Sequence, residues 1–355
     1  MYKNIDIRRW WIEIDKINFY LLSTLLVIGL ILSYSLSDSL DIFNKHLLFS
    51  LLAFILMIFF SFLEIKTLRR LSLFFLLVSV VILFIILFTD YEINGSKRWL
   101  IIYGFSLQPS EFIKPFYFIL SAWLIIQGIN GRTSYLFILV ISFIIINGLI
   151  IMQPDFGMTF LISITFFCQL FIAGLSMFLV ILALISLIIL GLTSYYFFDH
   201  VKRRIDIFLD PLADTYQIDL SINAFKSGGL FGKGPGQGIL KEKIPDANTD
   251  FIFAVAGEEL GFIICSIIIL LILVIIIRIL LKLLKMNNPF LIISIMGLTC
   301  CFGLQSLINI FSSLSLIPTK GMTLPYISYG GSSMISSSIL FGFLLSLTKN
   351  KLIYE

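Results

Sequence analysis

Charge is scarce in this sequence: 13% of its 355 residues are Asp, Glu, Lys or Arg, while 59% are hydrophobic. An average globular chain has about 25% charged and roughly 45–50% apolar residues. With a mean hydropathy of +1.05, this balance excludes cytosolic enzymes, nucleic-acid binders and soluble secreted modules, and leaves a polytopic membrane protein. Cysteine is also rare. Cys168, Cys265, Cys300 and Cys301 all fall inside apolar runs, so no disulfide framework is implied. His46 and His200 are the only histidines, which leaves almost no material for a zinc site or a Ser-His-Asp triad.

Long apolar runs are what the sequence has in abundance. A helix crossing a roughly 30 Å hydrocarbon core needs about 20 mostly apolar residues. Ten stretches qualify, near 18–36, 46–64, 70–89, 110–128, 134–152, 156–174, 177–197, 256–281, 289–311 and 328–347. The runs do not alternate, so spanning strands are excluded. The expected fold is all-α: a single integral membrane domain over 1–355 with about ten transmembrane helices and a large exoplasmic loop at 198–255. No small-residue cleavage site follows the first run, which reads as a retained helix and not a signal peptide.

An even number of spans puts both termini on one side. The mixed-charge start, the Lys66, Arg69, Arg70 turn, Arg132, the Arg278, Lys282, Lys285 stretch and the Lys349, Lys351 tail share a face, expected to be cytoplasmic. The segments 1–17 and 348–355 then lie in the cytoplasm, with Trp10 and Trp11 as an interfacial collar. Three connections on the opposite side, 90–109, 198–255 and 312–327, carry too many charges and glycines to be simple turns. The longest holds seven of the Lys and Arg residues, and reads equally as a solvated surface or an anion site.

Chemistry concentrates in those connections. The run Gly228 to Gly238 lacks the Lys-Ser/Thr ending of a P-loop; it reads either as a flexible loop or as a backbone nest that holds a diphosphate with Lys233. Asp246, Asp250, Glu258 and Glu259 place four acids within 14 residues at the start of an apolar helix. Asp250 suits an N-cap. Carboxylates at a bilayer edge are costly and usually functional, and a cluster raises the pKa of one member, as a general base requires. Asn94-Gly95-Ser96-Lys97-Arg98-Trp99 sets two cations at the end of the third span, and Gln108-Pro109-Ser110-Glu111 precedes Lys114. Glu111 and Lys114, three residues apart, share a helix face as structural glue or as part of a substrate path, and glue is the simpler reading. Gln153 to Gly157 and Pro318 to Ser333 look like irregular backbone at an external cavity.

These motifs, in this order and between ten spans, resemble the SEDS family of shape, elongation, division and sporulation proteins over nearly the whole chain. Pro318-Thr319-Lys320-Gly321-Met322-Thr323-Leu324-Pro325 tilts the resemblance from the RodA branch to the FtsW branch. The resemblance implies a peptidoglycan glycosyltransferase that polymerises lipid II, undecaprenyl-diphosphate disaccharide-pentapeptide, on the outer face of the bacterial inner membrane during septal wall synthesis. It implies as partners a class B penicillin-binding protein transpeptidase and other division proteins, with no nucleic acid. Asp250 matches the family's essential aspartate and Lys114 a basic residue of the same cavity. The chain departs from the family at Asn248, often His, and at Ser106, basic in some members.

On that reading Asp250 takes the proton of the acceptor's 4-hydroxyl. Lys114, Lys97, Arg98 or a divalent ion such as Mg2+ or Mn2+ neutralises the departing diphosphate, with Lys233 and Glu258 as further substrate contacts. Ten helices with buried charges also describe a lipid II flippase, but the polar motifs gather on one face and no repeated halves are visible. A non-catalytic scaffold has no need of Asp250.

Overall fold

An apolar segment in lipid must satisfy its own backbone, and a helix does so locally. A computed structural model describes residues 7–36, 40–89, 98–102, 105–174, 216–319 and 321–350, with single positions between 178 and 206. The chain is a polytopic α-helical membrane protein. A short helix, α1 (Ile7–Glu13), precedes α2 (Lys16–Leu36), α3 (Leu40–Phe62) and α4 (Ile65–Ile86). Trp10 anchors α1 by donating to Ser61 at 2.9 Å and stacking on Phe62 at 4.6 Å.

Next come α5 (Pro109–Ile129), α6 (Thr133–Met152) and α7 (Phe156–Ile172). After them stand α8 (Tyr216–Gly228), α9 (Ile252–Glu259), α10 (Gly261–Leu283), α11 (Pro289–Ser313) and α12 (Gly331–Leu347). Among the described residues seven helices are long and apolar enough to cross a membrane, and α7 and α12 are apolar but shorter. The expected stretch at 177–197 lies outside the continuously described residues.

Burial separates the centre from the rim. In α5 and α11, 72% of the apolar window is covered by protein, against 22–39% in the other five spans. α5 packs on α4, α6, α11 and α12, α11 on α7, and α12 on α3. Polar side chains on α5 and α11 therefore face protein, and the site is built there.

Besides α8, which lies within the stretch 198–255 expected as a loop, two features were not expected. Leu100–Ile102 (β1) and Phe105–Leu107 (β2) form an antiparallel hairpin ahead of α5, with Leu100 opposite Leu107. The stretch expected as one helix over 256–281 breaks at Gly261, whose φ is +78°. A β-carbon on Gly261 would lie 2.3 Å from the amide nitrogen of Gly232, so a bulkier residue does not fit.

Candidate active site

Asp250 stands one residue outside α9, whose N-cap position is Phe251, and it is half-buried. Its amide closes a turn onto the Asp246 carbonyl at 3.1 Å. Asn309 of α11 donates its side-chain amide to the Asp250 carbonyl at 2.9 Å and to the Met322 carbonyl at 2.6 Å. One buried amide thus ties the end of the long loop to the 318–333 string. The two lie close: a β-carbon at Gly321 would be 3.3 Å from Asp250 Oδ2.

Lys114 is buried in α5. Its ammonium meets Glu111 at 2.6 Å and donates to Gln305 of α11 at 2.6 Å. Gln305 in turn donates to the Thr323 carbonyl at 3.1 Å, and Thr323 shares a 2.5 Å hydroxyl contact with Ser333. The expected Glu111–Lys114 pair therefore exists, and it is wired into the same string that lies beside Asp250.

Arg98 is engaged with protein. Its guanidinium donates to the carbonyls of Gln153, at 2.9 Å, and Pro154, and lies 3.7 Å from Asp155. Gln108 donates its side-chain amide to Asp155 at 3.3 Å, and its main-chain amide to Ser332 at 2.9 Å. Asp155 also caps α7 through the amide of Met158 at 3.1 Å. Four separate motifs meet in this knot. Lys97 lies outside the described residues.

Lys233 and Glu258 do come together, as each other's partner at 2.8 Å. The buried Glu258 carboxylate also accepts from the amides of Ile239, Leu240 and Lys241, at 2.9, 3.0 and 3.0 Å. Its neighbour Glu259 pairs with Lys241 at 2.8 Å and accepts from the Ser35 hydroxyl. The glycines answer to this docking. A β-carbon on Gly228 would sit 2.0 Å from the Gly257 carbonyl oxygen, and one on Gly232 would sit 2.1 Å from that of Glu259. The Gly-rich run is strapped onto the break between α9 and α10.

Beside this framework opens a cavity of about 590 Å³, between the end of α2, the start of α3, the loop 241–249 and Tyr329. Asn248 and Thr249, immediately before Asp250, line it. Among the described residues no three His, Cys, Asp or Glu side chains form a metal cluster.

Sequence reasoning missed Gln305, Asn309, Tyr329 and Ser35. A signal for the first two was present: two amides four residues apart lie on one face of an apolar helix.

Comparisons with known proteins show the family. A family model described as a cell cycle protein, covering FtsW, RodA and SpoVE, matches residues 15–352. A protein of Caulobacter vibrioides named probable peptidoglycan glycosyltransferase FtsW is 43% identical over 270 residues, spanning 74% of this chain and 68% of that protein. A protein of the same name from Borreliella burgdorferi is 36% identical over 278 residues, 76% of each chain. Among solved structures, the rod shape determining protein RodA of Thermus thermophilus superposes with a TM-score of 0.71 at 22% identity, covering 95% of this chain and 97% of that one. A chain of a peptidoglycan synthase complex, described as coordinating polymerization and crosslinking, reaches 0.77 at 23% identity, covering 94% and 97%. The chain belongs to the cell cycle protein family of FtsW, RodA and SpoVE.

Proposed function

We propose that this chain is a peptidoglycan glycosyltransferase that polymerises lipid II into glycan strands at the division septum. The observation that carries the reading is the position of Asp250: Asn309 fixes its main chain, the 318–333 string lies against its carboxylate, and the residues before it wall a cavity. A general base has to lie within hydrogen-bond reach of the hydroxyl whose proton it takes, and the tie through Asn309 fixes where this carboxylate is offered.

In the reaction Asp250 accepts the proton of the acceptor's terminal 4-hydroxyl as that oxygen bonds to the anomeric carbon of the donor sugar. The anomeric C–O bond to diphosphate breaks, and undecaprenyl diphosphate leaves with the electron pair. Diphosphate is a good leaving group and needs no general acid, unlike the two-carboxylate arrangement of glycosidases. Lys114 acts from within the protein, holding the string through Gln305. Arg98, Lys233 and Glu258 hold the loops in place. An Mg2+ or Mn2+ ion would arrive on the diphosphate.

The site faces the periplasm, both termini lie in the cytoplasm, and the natural partner is a class B penicillin-binding protein transpeptidase. Similarity to a chain of a peptidoglycan synthase complex supports that partnership. Incubating the purified chain, with and without such a transpeptidase, with labelled lipid II tests the proposal: glycan strands are expected. Movement of lipid II across vesicles without polymer would instead favour a flippase.

A further inference from the structure

The Gly-rich run docks on the break between α9 and α10, and it also presents an apolar tip. Phe231 is 80% exposed and Leu230 61%. Apart from these two, Pro235 and Ile239, the exposed side chains between 226 and 246 are polar, as positions facing water are. Large apolar side chains left this open in a loop call for a cover.

The backbone fixes where the tip stands. The carbonyls of Gly229 and Leu230 accept from the amides of Phe262 and Ile263, at 2.9 and 3.2 Å, two of the first-turn donors that α10 cannot satisfy itself. On the return, the amides of Gly232, Lys233 and Gly234 donate to the carbonyls of Gly228, Glu258 and Glu259, at 2.8, 3.0 and 2.9 Å. Leu230 and Phe231 are thus fastened to the first turn of α10. That helix has 23 residues, a length of about 34 Å against roughly 30 Å for a hydrocarbon core, so its first turn lies at the membrane edge. Only 28% of its apolar window is covered by protein, and the open face begins at Phe262 and Ile263 and runs on through Ile267, Leu270 and Leu273. The tip continues this lipid-facing surface. Its paired main-chain groups are what a segment at the bilayer edge needs, and Lys226, exposed in the last turn of α8, suits a side chain that reaches headgroups.

We propose that the Gly-rich run is an interfacial membrane anchor, with Leu230 and Phe231 seated among the lipids that meet the start of α10. The occupant is lipid, and the anchor is independent of the reaction proposed above. Because the same run binds Glu258 of α9, the helix that follows Asp250, the anchor sets the height of that helix against the membrane surface.

The test places a nitroxide label at Phe231→Cys or Leu230→Cys, one at a time, in the full chain carrying Cys168→Ala and Cys300→Ala; the remaining Cys265 and Cys301 are buried. The protein is reconstituted in vesicles of phosphatidylethanolamine and phosphatidylglycerol. Collisions with oxygen, which concentrates in lipid, are compared with collisions with a water-soluble nickel chelate. Lys243→Cys, at an exposed position of the same loop, is the control. The Phe231→Cys label should show an oxygen-to-nickel collision ratio severalfold above the control, and adding the full-length transpeptidase should leave it unchanged. A ratio equal to the control means a tip in water and overturns the anchor. A loss of oxygen collisions on adding the transpeptidase gives the surface to a protein partner and overturns it as well. If Phe231→Cys does not fold, the Leu230→Cys label decides by the same ratios.

Discussion

Asn309 donates one side-chain amide to two carbonyls from distant parts of the chain, Asp250 at 2.9 Å and Met322 at 2.6 Å. A single buried residue near the end of α11 therefore ties the Asp250 main chain to the string that follows that helix.

Asn309→Leu keeps the volume but leaves both carbonyls short of a donor. Each buried unsatisfied acceptor costs about 1–3 kcal/mol. The variant should melt earlier in a detergent thermal-shift assay, and should lose at least about tenfold in polymerisation rate at a temperature where it is still folded, the scale of 1.4 kcal/mol in the barrier. Full activity in the folded variant would show that the tie is not needed for catalysis.

Lys114 holds Glu111 and Gln305 together in a buried setting. Lys114→Met should destabilise by about 3–5 kcal/mol, because it leaves the Glu111 charge without its partner. Adding Glu111→Gln should restore most of the stability, read from thermal unfolding. Polymerisation should stay low in the double variant, since no ammonium then holds the Gln305 side chain that donates to Thr323. Activity that recovers together with stability would make the pair structural glue alone.

Glu258 gathers Lys233 and three loop amides. Glu258→Gln retains a partial acceptor but loses the charge, and charge-assisted bonds are worth about 1.5–3 kcal/mol each. The Gly-rich run should then be cut by protease well before the bundle unfolds. Cleavage kinetics unchanged from the wild type would mean that the loop is held by its backbone contacts alone.

Orientation is tested with single cysteines. Lys243→Cys, on an exposed position of the long loop, should react with a membrane-impermeant maleimide in intact spheroplasts, and Arg132→Cys should not. Background from the native cysteines should be low, because Cys265 and Cys301 are buried and Cys168 and Cys300 are partly covered. The reversed pattern would turn the site to the cytoplasm, away from displayed lipid II.

Hydropathy was enough to read most helices, because lipid makes the apolar run and the helix one requirement. It misplaced what polar contacts decide. The start of α3 at Leu40 precedes the expected 46 because Asp41, Asn44, Lys45 and His46 interrupt the apolar run without ending the helix. The break at Gly261 depends on a backbone approach by Gly232, a contact 29 residues away in sequence that no local pattern reveals. Asp250 and Lys114 stood out as charges in an apolar chain. Their linkage did not, since it runs through Asn309 and Gln305, neutral amides whose partners come from the string after α11. Lys233 and Glu258 were visible as charges, but only the folded loop brings them together.

The most direct measurement is polymerisation of labelled lipid II by Asp250→Asn beside the wild type, each with its transpeptidase partner, with folding checked by thermal unfolding. The amide has the shape of the carboxylate but cannot take the proton. The account predicts a loss of about 10²-fold or more with stability kept, the range for removing a positioned base. Near-normal glycan synthesis by a folded Asp250→Asn protein would contradict it.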